Sequence, residues 1–270
     1  MPLRLEDYAL IGDGETAALV GRDGSIDWLC LPRFDSPACF AALLGTPEHG
    51  RWQIAPRGEV LRVVRRYRPG SLVLETDFET AEGMVTLIDC MPWRNDRIDI
   101  VRVVVGRRGR VAMTMDLTLR FDYGALVPWV YQAPDGALLA VCGPDQVALR
   151  TPVGLQGAGL HTTASFEVAE GDRVPFDLVW TPSHLPAGCA VDVEAVIAAT
   201  DDYWRDWLAG TRIDARQPHG ETVRRSLLTL KALTYSPTGG IVAAPTTSLP
   251  ETIGGERNWD YVSAGSATAL

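Results

Sequence analysis

Between residues 25 and 180 the apolar positions come in short runs, among them "SIDWLCL", "LRVVRRY", "SLVLETDF", "MVTLIDCM", "DIVRVVVG", "AMTMDLTLRF", "ALLAVC", "TTASFEV" and "RVPFDLVW". Turn signals such as "GRDG" (21–24), "RPGS" (68–71), "GRRGR" (106–110), "APDG" (133–136) and "AEGD" (169–172) separate them. Short strands interrupted about every ten residues predict a mainly β chain folded as a β-sandwich, not alternating βαβ units. "TLRFDYG" and "SFEVAEG" alternate apolar and polar positions, so each presents one wet face. "VRVVVG" does not alternate, which predicts a strand covered on both faces.

After Ala199 the period changes. "TDDYWRDWLAG" opens on Thr200, Asp201 and Asp202, which suit an N-cap and first turn, and closes at Gly210, predicting a short helix. Its rings, Tyr203, Trp204 and Trp207, fall on one face, as in a core or a contact between domains. "HGETVRRSLLTLKALTYSPTGG" sets Val223, Leu227, Leu230 and Leu233 at helical spacing and stops before Pro237, predicting a second helix. The expected organisation is a β-sandwich over 1–198, a helical linker over 199–218 and the start of a helical unit over 219–270.

Composition narrows the function. A net charge of -9 on 270 residues disfavours nucleic acid and anionic membrane surfaces, which need a clustered basic face, and favours a neutral or cationic ligand. Glu6 and Asp7 stand where a secretory leader would be basic and then apolar, and no run approaches a membrane span, so a cytoplasmic protein is expected. Five cysteines without a C-x-x-C pair read as free thiols, with neither a disulfide framework nor a metal site.

"GDGETA" (12–17) fits the dinucleotide fingerprint by spelling alone: only "ALV" follows before the next turn, so the helix that must face a pyrophosphate is missing and no cofactor is expected. His49, His161, His184 and His219 lie beside Pro or Gly turns without metal-ligand spacing and read as surface-loop residues. Acidic pairs such as Glu75 with Asp77 read as solvated strand positions. The densest chemistry is in "GGIVAAPTTSLPETIGGERNWDY" (239–261). Thr246, Thr247 and Ser248 supply hydroxyls, Trp259 and Tyr261 supply rings, and Asp260 a carboxylate; together these suit the polar edges and apolar faces of a pyranose.

Two long blocks, "EDYALIGDGETAALVGRDGSIDWLCLPRFDSPACFAALLG" and "RRSLLTLKALTYSPTGGIVAAPTTSLPETIGGERNWDY", resemble the bacterial glucoamylase and trehalase branch of glycoside hydrolase family 15. The resemblance implies an N-terminal super-sandwich, a linker helix and an (α/α)6 barrel of which this chain holds only the first helix. It also implies inverting hydrolysis of an α-glucoside by two carboxylates that lie later in the barrel, so these residues alone are expected to be inactive. Tyr261, with Trp259 and Asp260, is carried over as pocket wall, with Thr246, Thr247 and Ser248 close by; no catalytic residue is carried over. In the family the run continues R-Y-x-W-x-R-D. One base lost after the Tyr261 codon would turn Tyr-Arg-Leu-Cys-Trp-Leu-Arg-Asp into Tyr-Val-Ser-Ala-Gly-Ser-Ala-Thr, the tail of this sequence, so a frameshifted remnant is expected. Two rival expectations stand beside it. One is a non-catalytic oligosaccharide-binding or docking sandwich with Trp52, Trp93 or Trp129 displayed on one face; the other is a defective product that self-associates through an exposed 219–235 helix.

Overall fold

The computed structural model describes residues 3–213 and 218–249, with the backbone of Tyr261–Val262 in addition. In chain order the strands are β1 (Tyr8–Gly12), β2 (Ala17–Gly21), β3 (Ser25–Cys30), β4 (Ala38–Phe40), β5 (Arg51–Pro56), β6 (Val60–Tyr67), β7 (Leu74–Thr80), β8 (Gly83–Cys90), β9 (Ile98–Thr118), β10 (Trp129–Gln132), β11 (Leu138–Cys142), β12 (Asp145–Arg150), β13 (Gln156–Ala158), β14 (His161–Ala169) and β15 (Arg173–Pro182). Two helices follow, α1 (Val193–Ala209) and α2 (Gly220–Ala232), and then β16 (Thr234–Tyr235), β17 (Gly240–Val242) and β18 (Tyr261–Val262). The first fifteen strands form the expected β-sandwich.

One sheet runs β1-β2-β3-β5-β9-β14-β13 and the other β6-β7-β8-β9-β15-β12-β11-β10, and β9 belongs to both. Its first half pairs with β8 and β15, and its second half with β5 and β14. "GRRGR" therefore does not reverse the chain as the turn signal predicts: the strand runs through it from one sheet to the other. The glycines make the passage possible. A Cβ on Gly106 would overlap the carbonyl of Ala169, and Gly109 sits at φ +66°, where L side chains are strained.

Between the sheets lies an apolar core that includes Ile26, Leu29, Trp52, Ile54, Phe78, Val104 and Phe176. Arg102 crosses this core fully buried. It binds Asp89 at 2.7 Å and donates to the carbonyls of Trp52 (2.8 Å) and Gly24 (2.7 Å) on the opposite sheet. Removing either charge would strand the other in a low-dielectric interior, which is costly, so the pair works as a clamp between the sheets.

α1 starts at Val193, capped by the Asp192 carboxylate accepting from the amides of Glu194 and Ala195. The cap thus lies eight residues ahead of the one expected at Thr200, whose hydroxyl instead donates to Val196 O inside the helix at 2.7 Å. Val193 and Ile197 pack on Val101, Val103 and Val105 of β9, which covers the outer face of the second sheet. The unalternating "VRVVVG" is thus buried on both faces, as its pattern predicts.

Candidate functional site

The second half of α1 brings its rings to the junction between sandwich and C-terminal segment. Trp204 is fully buried with Leu72, Leu208, Leu228 and Ala232. Tyr203 stacks on Trp93 with centroids 4.5 Å apart, and Trp93 meets Trp204 edge-on at 5.5 Å. Lys231, the only lysine, places Nζ 4.5 Å from the centre of the Trp93 ring, and burial pulls its pKa down. Together these contacts lock α1 and α2 onto the sandwich.

The β1–β2 loop closes the same junction. Asp13, fully buried, accepts from the amides of Glu15 and Thr16 and binds Arg94 at 2.8 Å. Burial raises its pKa, and the Arg94 guanidinium opposes that rise. Gly14 lies at φ +87° directly under Trp93, where a Cβ would overlap the indole, and its carbonyl accepts from Ser236 N at 2.7 Å. "GDGETA" is therefore a structural fastener. No helix follows it, so the geometry that a dinucleotide requires is absent from these residues.

The hydroxyl loop predicted to lie near a sugar rests on the outer face of the first sheet. Trp28 Nε1 donates to Pro245 O at 2.8 Å, Tyr123 OH donates to Ser248 O at 3.2 Å, and Cys30 Sγ lies 3.3 Å from Ser248 Oγ. Burial lifts the Cys30 thiol to about 12, so it is an inert neighbour and not a nucleophile. Thr247 is buried, whereas Thr246 and Ser248 are half-buried. Leu249 completes the cover over Leu19, Trp28 and Ala38. The structure brings Thr246, Thr247 and Ser248 together and ties them through β17 to β18, where Val242 pairs with Tyr261. Trp259 and Asp260 lie outside the described residues.

A second feature has no counterpart in the motifs read from sequence. At the opposite edge, a cleft of about 430 Å³ opens between β10 and the β13–β14 hairpin, lined by Leu119, Arg120, Tyr131, Gln132, Gln156 and His161 among others. His161 opens strand β14 and is not in a surface loop: Nδ1 lies 2.7 Å from Thr118 Oγ1 and Nε2 3.1 Å from Glu48 Oε1. Nor do the three tryptophans line up on one face. Trp52 is in the core under Arg102, Trp93 is sandwiched at the junction, and Trp129 alone is displayed. Sequence could have found the cleft only through "WVYQ", an uncharged aromatic run with no apolar partner in view.

Residues 1–178 match the family described as trehalase-like, N-terminal. A trehalase of Mycolicibacterium smegmatis is 36% identical over 284 residues, covering 95% of this chain and 42% of the relative. A trehalase of Mycobacterium tuberculosis is 36% identical over 287 residues, covering 95% of this chain and 41% of its own. A bacterial glucoamylase complexed with acarbose superimposes with a TM-score of 0.60 at 10% identity, over 91% of this chain and 43% of that one, a likeness of fold. The chain spans less than half the length of these relatives. Its sandwich and the match over residues 1–178 place it in one group: the chain belongs to the trehalase-like N-terminal family, of the glycoside hydrolase family 15 type.

Proposed function

We propose that the chain supplies the N-terminal portion of an α-glucoside hydrolase of trehalase or glucoamylase type, acting by inversion in carbohydrate metabolism. The observation that carries this reading is the docking of the Thr246–Ser248 loop on the first sheet. The hydrogen bonds to Trp28 and Tyr123 give it a fixed anchor, and β17 then leads to Tyr261. An anchored loop of this kind meets the requirement that a binding site be built on rigid elements. In this reading Tyr261, Trp259 and Asp260 belong to the wall of a sugar pocket, with Thr246, Thr247 and Ser248 close by.

Inverting hydrolysis needs a general acid and a water-activating base about 6.5–9.5 Å apart across the scissile bond. Among the described residues the buried carboxylates are engaged elsewhere: Asp13 with Arg94, Asp89 with Arg102, Asp99 and Asp177 with Arg97, Asp201 with Arg68, and Asp27, which accepts from the Tyr8 hydroxyl. The chain is therefore read as inactive by itself, with the chemistry supplied by a helical domain. Free cysteines at Cys30, Cys39 and Cys90, all buried, suit a reducing cytoplasm. α2 buries Leu228 and Ala232 but leaves Val223 and Leu230 exposed, a surface for a helical neighbour or, without one, for self-association.

The test is glucose release from trehalose and from maltoheptaose, by the chain alone and by a fusion in which the remainder of the M. smegmatis relative follows Tyr261. No release by the chain and release by the fusion are expected. Turnover by the chain alone would remove the inactive reading, and a folded fusion that releases glucose from neither sugar would remove the hydrolase reading.

A further inference from the structure

We infer that the cleft between β10 and the β13–β14 hairpin is an accessory binding site for a neutral, linear α-glucan, separate from any site the C-terminal loop helps to build. β10 is the last strand of the second sheet and β13 the last of the first. Where these edges part, the sandwich is open, and the end of β9 with its continuation forms the floor through Leu117 and Leu119. The cleft's volume of about 430 Å³ lies within the usual range for small-molecule sites.

The lining chooses the chemistry. Tyr131, Gln132, Gln156 and His161 bring planar polar groups to apolar walls, and among the described residues no carboxylate lines the cleft. Arg120 is the only guanidinium among them, and that group is already engaged. It donates to Leu119 O at 2.7 Å and Leu160 O at 3.2 Å, with Glu48 at 3.9 Å. Neither an anion nor a cation finds a free counter-charge here. A ligand with hydroxyl edges and apolar faces finds both of the surfaces it needs.

The strand itself supplies the rest. All four residues of β10 are exposed; the strand pairs with β11 on one side and, among the described residues, with nothing on the other. Its free backbone groups can donate to and accept from a ligand lying along it. Tyr131, 42% exposed, is the aromatic ring of the lining, with Val130 and Gln132 beside it on the same strand, so the edge offers one stacking surface flanked by apolar and amide groups. Four residues of strand extend about 13 Å. That length exceeds one sugar ring, which favours a chain of several over trehalose. Choosing glucose in α linkage rests on the function proposed above; the choice of a neutral saccharide rests on the lining.

The experiment titrates the 270-residue protein with maltoheptaose, trehalose and cellohexaose, following tryptophan emission and heat. Saturable binding of maltoheptaose is expected, stronger than that of trehalose or cellohexaose. Tyr131→Ala should weaken it by about tenfold or more, the loss typical of a central aromatic side chain, and Leu160→Arg at the rim should abolish it. Circular dichroism and the denaturation midpoint of both variants should match the parent. Absence of saturable binding, or binding unchanged in both variants, overturns the site. Equal binding of cellohexaose overturns the α-glucan assignment. A concentration-dependent dimer that Tyr131→Ala dissolves, without sugar binding, overturns it in favour of strand pairing between copies. An active fusion with an empty cleft sinks only this inference, and a filled cleft with an inactive fusion sinks only the hydrolase reading.

Discussion

The two sides of the sandwich treat aromatic side chains in opposite ways. On the side that meets the helices, Trp28, Trp93, Tyr203 and Trp204 are consumed by the chain's own later segments. On the β10 side, Trp129 and Tyr131 meet none among the described residues. The two sides draw on the same residue types, so composition does not separate them; what differs is whether a later segment returns to cover the rings. α1 covers the outer face of the second sheet, α2 joins it at the Trp204 junction and the 243–249 loop covers the outer face of the first sheet, and among the described residues none of them packs on β10. Aromatics on the covered side therefore carry stability, and those on the open side are available for binding.

The sharpest way to break this contrast is to delete a ring on the covered side. Trp204 is 0% exposed and touches Leu72, Leu208 and both rings of the Trp93–Tyr203 stack. Trp204→Ala should lower stability by about 3–5 kcal/mol, through the lost burial and the cavity left behind. Urea denaturation followed by circular dichroism measures it. A change below about 1 kcal/mol would mean that the helices are not fastened through this ring.

Next comes a charge effect close to the β10–β11 hairpin. Asp177 lies between Asp99 and the arginines 97 and 150; burial, then the neighbouring Asp99 charge, lifts it to about 7, and the two arginines only partly offset the rise. The folded protein thus holds a proton at Asp177 that the unfolded chain, at its ordinary carboxylate value, has already released. The corresponding stability is fully present below about 4, and it falls away as pH rises towards 7. Asp99, raised for the same reason, acts in the same direction. Midpoints measured from pH 4 to 7 should decline by the equivalent of a few kcal/mol at most, and Asp177→Asn should flatten that decline.

These sites differ in how far the sequence alone reveals them. Strands such as β7 and β14 are legible because alternation reports which face is wet, and local pattern is enough. β9 is legible as two pieces but not as one, since Gly106 and Gly109 spell a turn and only the proximity of Ala169 shows why they are there. The α1 start is hidden because "VDVEAVIAAT" reads as readily for a strand as for a helix until Asp192 is seen to cap it. The hydroxyl loop is legible as a cluster, whereas its anchors Trp28 and Tyr123 come from far away in the chain. The cleft is illegible for a related reason: its walls converge from residues 117 to 162, and no contiguous motif announces a space.

Gly14→Ala gives a smaller loss on the covered side. The added methyl meets the Trp93 ring, and the φ of +87° is strained for any L side chain. A cost of about 1–3 kcal/mol is expected, read from the shift in urea midpoint. Loosened packing of Trp93 on Tyr203 should accompany it as a change in near-ultraviolet circular dichroism. An unchanged spectrum and midpoint would show that the loop under Trp93 yields freely.

Trp129→Ala should have the smallest effect on stability, within about 0.5 kcal/mol, because a side chain 76% exposed on an edge strand gives up little buried area. Set beside Trp204→Ala, this is the comparison at its sharpest: the same substitution on the two sides, one costing several kcal/mol and the other close to nothing. A large loss at Trp129 would mean that the ring packs against the sandwich in solution and that the β10 side is covered after all. A small loss leaves the exposure of a bulky indole unexplained by folding.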